Sequence, residues 1–108
     1  MKKIEGGVCA PKGYKAAGVE ANIKKSSTKK DCALIVSEVP ATAAGMFTKN
    51  VMKSSPVVWS AAACLAGKAQ AVFINSGNAN AATGERGAED VCTTAGWLAD
   101  GLGIAAQH

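Results

Sequence analysis

The chain has 108 residues, of which 48% are hydrophobic and 19% charged, with a formal net charge of +4. Those proportions suit one small globular domain and exclude a disordered tail or a multidomain enzyme. Aromatic residues make up only 5%, so the core must be built from small side chains and closely approaching backbones.

The positive charge is not evenly spread. Residues 1–30 hold eight lysines against Glu5 and Glu20, a local +6, and the remainder carries four basic and six acidic residues, a local −2. The densest run, Lys24-Lys25-Ser26-Ser27-Thr28-Lys29-Lys30, has no aromatic residue interleaved on which a base could stack. It is expected to be a solvated loop, with no nucleic-acid partner. The competing class is a basic interaction module, whose nucleic-acid affinity would fall steeply with salt.

In chain order, Tyr14 to Ile23 alternates Ala17, Val19, Ala21 and Ile23 with polar neighbours, the period of a half-buried strand. After the lysine loop, Asp31 to Val39 contains the unbroken apolar run Cys32-Ala33-Leu34-Ile35-Val36, expected to be a central strand covered on both faces. A further short strand is expected at Ala44 to Thr48, pairing with it. Ser54 and Ser55 before Pro56 open a helix to about Ala66, with a serine oxygen expected to cap orphan amides and Gly67 to close the helix through a left-handed turn.

Gln70 to Asn75 returns as a buried strand. The helix between the two strands would form a right-handed crossover if those strands were parallel. The segment Asn75-Ser76-Gly77-Asn78-Ala79-Asn80-Ala81-Ala82-Thr83-Gly84 follows, rich in residues that favour left-handed backbone and local side-chain hydrogen bonds. Beyond it, Val91, Ala95, Leu98 and Leu102 mark one stripe of an amphipathic helix, with Glu85, Glu89 and Asp90 near its positive end. The pattern points to an α/β layered sandwich.

Chemistry is harder to assemble. Cys9, Cys32, Cys64 and Cys92 contain no CxxC pair, and His108 is the only histidine, so neither a metal site nor a Cys–His couple has support. The first residues lack the apolar stretch of a signal peptide, no run is long enough to cross a bilayer, and free thiols in the cytoplasm are expected. The asparagine-rich segment matches neither GxxxxGK[ST] nor GxGxxG, although a polar loop at the carboxyl end of a strand is a common ligand position. The hydroxyls of Thr42, Thr83, Thr93 and Thr94 have no partner base in the sequence and are expected to cap, pack or face solvent.

The order of four blocks carries more than any one of them. Gly7 to Gly18, Asp31 to Val36, Ala43 to Asn50 and above all Ala71-Val72-Phe73-Ile74-Asn75-Ser76-Gly77-Asn78-Ala79-Asn80 with Thr83-Gly84 closely resemble the ornithine acetyltransferase (ArgJ) family. The resemblance implies a mixed sheet with helices packed on one face, the fold related to DmpA-like self-cleaving aminopeptidases. It implies transfer of acetyl from N2-acetylornithine to glutamate, and in bifunctional members also from acetyl-CoA, which enters as a co-substrate; no metal or other cofactor is implied. Family members cut themselves before a threonine, which becomes the nucleophile of an α/β heterotetramer.

The present sequence departs from that pattern. The family's oxyanion Thr-Gly lies beyond a helix like Val91 to Leu102, and its cleavage threonine lies farther on. Thr83-Gly84 belongs to the asparagine-rich block, so no catalytic residue carries over. The expectation is a single incomplete domain, residues 1–108, that is the N-terminal part of the α-chain region, inactive alone and completed by the remainder of its precursor and the β chain. Asn75, Ser76, Asn78 and Asn80 are the only candidates for lying near the assembled site.

Overall fold

A computed structural model describes residues 1–24 and 28–107. It contains a short 3-10 helix Gly7–Cys9, strands β1 (Tyr14–Val19), β2 (Cys32–Thr42) and β3 (Lys68–Asn75), and helices α1 (Ser55–Leu65) and α2 (Gly84–Leu102). The chain divides into two compact units, one of Met1–Pro40 with Gln70–Asn78 and one of Ala41–Ala69 with Ala79–His108.

The first unit is organised by the sheet, in the order β1-β2-β3. The apolar run 32–36 is central, as its composition demands, and each of its residues is half-buried. β1 and β2 are antiparallel, with Tyr14 opposite Ser37 and Val19 opposite Cys32. Ser76 N–H donates to the Asp31 carbonyl at 2.8 Å while the Gln70 side-chain amide donates to the Ser37 carbonyl at 3.2 Å. Rising position on one strand thus meets falling position on the other, so β2 and β3 are antiparallel too and the crossover rule for parallel strands does not apply. The α/β class stands, with antiparallel pairing among the described strands. Lys15 and Glu38 form a cross-strand ion pair at 3.1 Å, but both are well exposed, where such pairs contribute less than about 1 kcal/mol.

β1 is shorter than its alternation predicts. It stops at Val19 because the amides of Ala21, Ile23 and Lys24 turn to the Asp31 carboxylate, and Asn22 adopts a left-handed φ of 58°. Side-chain acceptors of this kind compete with the strand ladder for the same donors. Ala17 and Val19 accordingly lie exposed, and in β3 Val72, Phe73 and Ile74 are exposed where a buried strand was expected. The alternation and apolar runs identified strands correctly but not what covers them.

In the second unit, no strand forms at Ala44–Thr48. The chain bends there instead: a Cβ on Gly45 would lie 2.6 Å from Phe47 Cζ and 3.3 Å from Cys64 Sγ, so the Phe47 ring folds back over a glycine that only hydrogen can occupy. β2 runs on through Pro40 to Thr42 and pairs with β1 and β3, not with this segment. α1 begins with proline in its first turn as expected, yet Ser54 makes no side-chain cap; its carbonyl accepts from Val57 and Val58 at 3.0 and 3.2 Å. Gly67, with φ 68°, ends the helix as expected.

α2 starts seven residues before the apolar stripe, taking Glu85, Glu89 and Asp90 into its first turns, and closes on Gly103 at φ 67°. It packs against α1. Gly87 and Ala99 are its buried residues, with Val91 and Ala95 half-buried between them at four-residue steps, so the inward line is the expected stripe turned slightly. Gly87 marks the close approach: a Cβ there would collide with Thr83 Oγ1 and lie 3.0 Å from Ser55 Oγ. Gly87→Ala is therefore expected to lower stability, measured by urea denaturation. Overpacking costs about 1–3 kcal/mol, which outweighs a helix-propensity gain of about 1 kcal/mol.

Candidate functional site

The asparagine-rich segment begins where β3 ends. Asn75 is the last strand residue and half-buried, Ser76 and Asn78 are exposed, and all three belong to the first unit; Asn80, half-buried, belongs to the second. Asn75, Asn78 and Asn80 each have an interaction partner, and Ser76 is held through its main chain by Asp31. The segment's left-handed positions are Gly77 (φ 97°), Ala82 (φ 56°) and Gly84 (φ 61°). The glycines do what their composition promised. No asparagine there adopts positive φ, and an alanine takes that duty.

Gly77 has a second reason to be glycine, since a Cβ would collide with Lys24 Cγ. The aliphatic stem of Lys24 thus crosses directly over the segment. Lys30 behaves similarly at the other flank of the basic run, its Cδ lying 3.2 Å from the Cβ position of Gly18, and Lys29 also has a partner. Lysine stems commonly cover backbone in this way while the ammonium stays in water. The centre of the run, Lys25, Ser26 and Ser27, lies outside the described residues.

The residue that sequence patterning missed is Asp31. It is 4% exposed, and its carboxylate accepts Ala21 N–H at 2.6 Å on Oδ1 and Ile23 and Lys24 N–H at 2.7 and 3.2 Å on Oδ2. The hydrogen bond from Ala21 leads the causes that hold its pKa below the ordinary 3.8, with those from Lys24 and Ile23 adding to it, and burial opposing them. A lone aspartate between a lysine pair and an apolar run looks like a strand boundary. The available signal was the mismatch of an acid placed directly at the start of the central strand.

Two of the four threonines singled out in the sequence, Thr94 and Thr83, take structural positions. Thr94 Oγ1 donates to the Asp90 carbonyl at 2.7 Å within α2, and Thr83 occupies the helix entry without a side-chain cap. Cys9, Cys32, Cys64 and Cys92 are free thiols, and among the described residues no cluster of three His, Cys, Asp or Glu side chains could hold a metal. No helix among them is long and apolar enough to cross a membrane.

The fold that carries this segment is shared with solved structures. The crystal structure of the arginine biosynthesis bifunctional protein ArgJ from Bacillus halodurans superposes with a TM-score of 0.88 at 36% identity, over 94% of this chain and 53% of that one. Ornithine acetyltransferase from Mycobacterium tuberculosis, solved in complex with ornithine, gives 0.87 at 42% identity, over 93% and 54%. The profile of the ArgJ family matches residues 15–108, and this chain belongs to that family. The chloroplastic ArgJ of Ostreococcus lucimarinus is 49% identical over 98% of this chain, and the ArgJ of Symbiobacterium thermophilum 49% over 96%. The chain spans about a quarter of the length of these two relatives, 23% and 26%.

Proposed function

We propose that this chain is the N-terminal part of a glutamate N-acetyltransferase of arginine biosynthesis, the portion that supports the site and does not carry the catalytic groups. The complete enzyme moves acetyl from N2-acetylornithine to glutamate, with acetyl-CoA as a second donor where the enzyme is bifunctional. It works in the cytoplasm after self-cleavage, as an α/β heterotetramer in which the remainder of the precursor and the β chain complete the site. Asn75, Ser76, Asn78 and Asn80 border that site.

The observation that carries this reading is the apolar surface of α1. Val57, Ala61 and Cys64 form a half-buried line, while Val58, Ala62 and Leu65 form a second, exposed line, with Leu65 at 89% exposure. A helix apolar all round belongs in an interior. Ala99 is the sole buried hydrophobic residue among those described, so the chain's apolar residues are suited to far more cover than it gives itself. Relatives about four times as long supply a source for that cover.

The isolated chain is expected to transfer no acetyl from N2-acetylornithine to glutamate above the buffer rate, followed by acetylglutamate formation. Turnover by the isolated chain would overturn the division of labour proposed here. In the complete enzyme, Asn78→Ala is expected to lower turnover per folded molecule about tenfold or more, the scale of a lost positioning contact. Unchanged turnover with lowered stability would make the segment a brace and not a border of the site.

A further inference from the structure

We infer that Asp31 is the positioning residue of the segment Asn75 to Asn78, holding it through both its main chain and its side chain. The placement is a closed circuit of six contacts. The Asp31 N–H donates to the Val19 carbonyl at 3.0 Å, which ties it to the end of β1. Its carbonyl accepts Ser76 N–H at 2.8 Å, which ties it to the first residue after β3. Its carboxylate gathers the amides of Ala21, Ile23 and Lys24. Lys24, so placed, lays its stem across Gly77, where only a glycine leaves room. The loop before β2 and the segment after β3 therefore lean on one residue, and every contact in the circuit lies inside the first unit.

Two features separate this from an ordinary turn. Asp31 is only 4% exposed and its carboxylate serves three main-chain donors at once, so its loss would leave several amides short of an acceptor together. The circuit also returns to the asparagine-rich segment by two routes, through Ser76 and through Gly77, so loosening the carboxylate loosens the Lys24 stem and removes one of the two. Aspartate suits the position because a carboxylate accepts on both oxygens, whereas an asparagine side chain accepts on one and presents an N–H₂ to the other donors. The inference goes beyond the enzymatic reading and stands whether or not the segment borders a substrate.

The test is amide hydrogen exchange of the chain, followed residue by residue by NMR. In Asp31→Asn the amides of Ser76, Gly77 and Asn78 are expected to exchange about tenfold faster or more, together with those of Ala21, Ile23 and Lys24, while Ala16 and Leu34 in the paired strands keep their rates. Asp31→Glu, which keeps both acceptor oxygens on a longer stem, is expected to restore part of the protection. Faster exchange confined to residues 21–24, with 76–78 unchanged, overturns the inference.

If Asp31→Asn does not fold, acidification of the wild-type chain gives the same decision. The amide resonances of residues 76–78 are expected to move with the same midpoint as those of residues 21–24. Independent midpoints, or none for 76–78, overturn it. The sequence between β1 and Asp31 carries Glu20, Lys24, Lys25, Lys29 and Lys30, while Gln70–Asn78 carries no charge, so Glu20→Gln serves as the control for the only other acid in that stretch. Failure here leaves the acetyltransferase reading intact, because that reading is judged by turnover.

Discussion

Acidifying the chain from about pH 6 to about pH 3 is expected to destabilise it in step with protonation of Asp31, seen as a falling urea midpoint that flattens in Asp31→Asn. The folded pKa of this carboxyl lies below its ordinary value of 3.8, chiefly because Ala21, Lys24 and Ile23 donate main-chain hydrogen bonds to the charged form. A group with a depressed folded pKa binds fewer protons in the native state than in the unfolded chain. Its contribution is therefore fully present above the unfolded pKa and is lost as pH falls through the folded one. The window opens just below pH 4 and extends downward.

Subtracting the Asp31→Asn curve from the wild-type curve removes what the other carboxylates contribute in common. A difference that stays constant across the window would mean that Asp31 does not act through its charge. At neutral pH the variant is expected to unfold several degrees lower than the wild type. Asparagine keeps one acceptor oxygen, so at least one of the three donors loses its partner and faces an N–H₂ group instead.

Replacing the exposed apolar line of α1 is expected to leave the isolated chain nearly unchanged and to abolish its assembly. Val58 is 56% and Leu65 89% exposed, so Val58→Gln with Leu65→Gln should shift the chain's own stability within about 0.5 kcal/mol per site. Glutamine is also a better helix former than valine and equal to leucine, which works in the variant's favour. Assembly with a separately expressed remainder of the precursor is another matter. Fully burying a valine or leucine contributes about 1.5–3 kcal/mol each. Scaled by the exposure each still has, losing both is about 2 kcal/mol at the least, about thirtyfold or more in affinity.

Co-purification and calorimetric titration against the remainder read that loss directly. Equal stability with lost assembly is the expected pair of results. Equal stability with equal assembly would show that this face of α1 stays in water in the complete protein, and another surface would have to answer for the exposed residues of the chain.

Much of the fold was legible because it depended on local pattern. The run 32–36 announced a central strand, Pro56 and Gly67 bracketed α1, and the alternating four- and three-residue steps from Val91 to Leu102 marked α2. The misreadings share one physical cause, which is that a pattern fixes an element's type but not its partners. Ala44 to Thr48 has the composition of a short strand, yet Phe47 turns back over Gly45 and the segment pairs with no strand. Ile23 continues the alternation of β1, yet its amide belongs to Asp31. Ser54 has the chemistry of a helix cap, yet only its carbonyl is engaged.

The candidate segment was legible in a different way. Asn75 to Gly84 stood out by composition and by family resemblance, and its glycines proved to be left-handed turns. What could not be seen was that its position depends on an aspartate 45 residues before Ser76. Side-chain to main-chain hydrogen bonds across such separations leave no periodicity in a sequence.

By itself, then, the sequence determined the family and the identity of the principal elements. Tertiary structure alone decided the antiparallel pairing of β2 with β3, the early end of β1 and the convergence of two distant loops on Asp31. Periodicity records which faces are apolar because burial acts residue by residue. Pairing and convergence are settled by which donors and acceptors meet when the chain closes on itself, and that is a property of the folded arrangement.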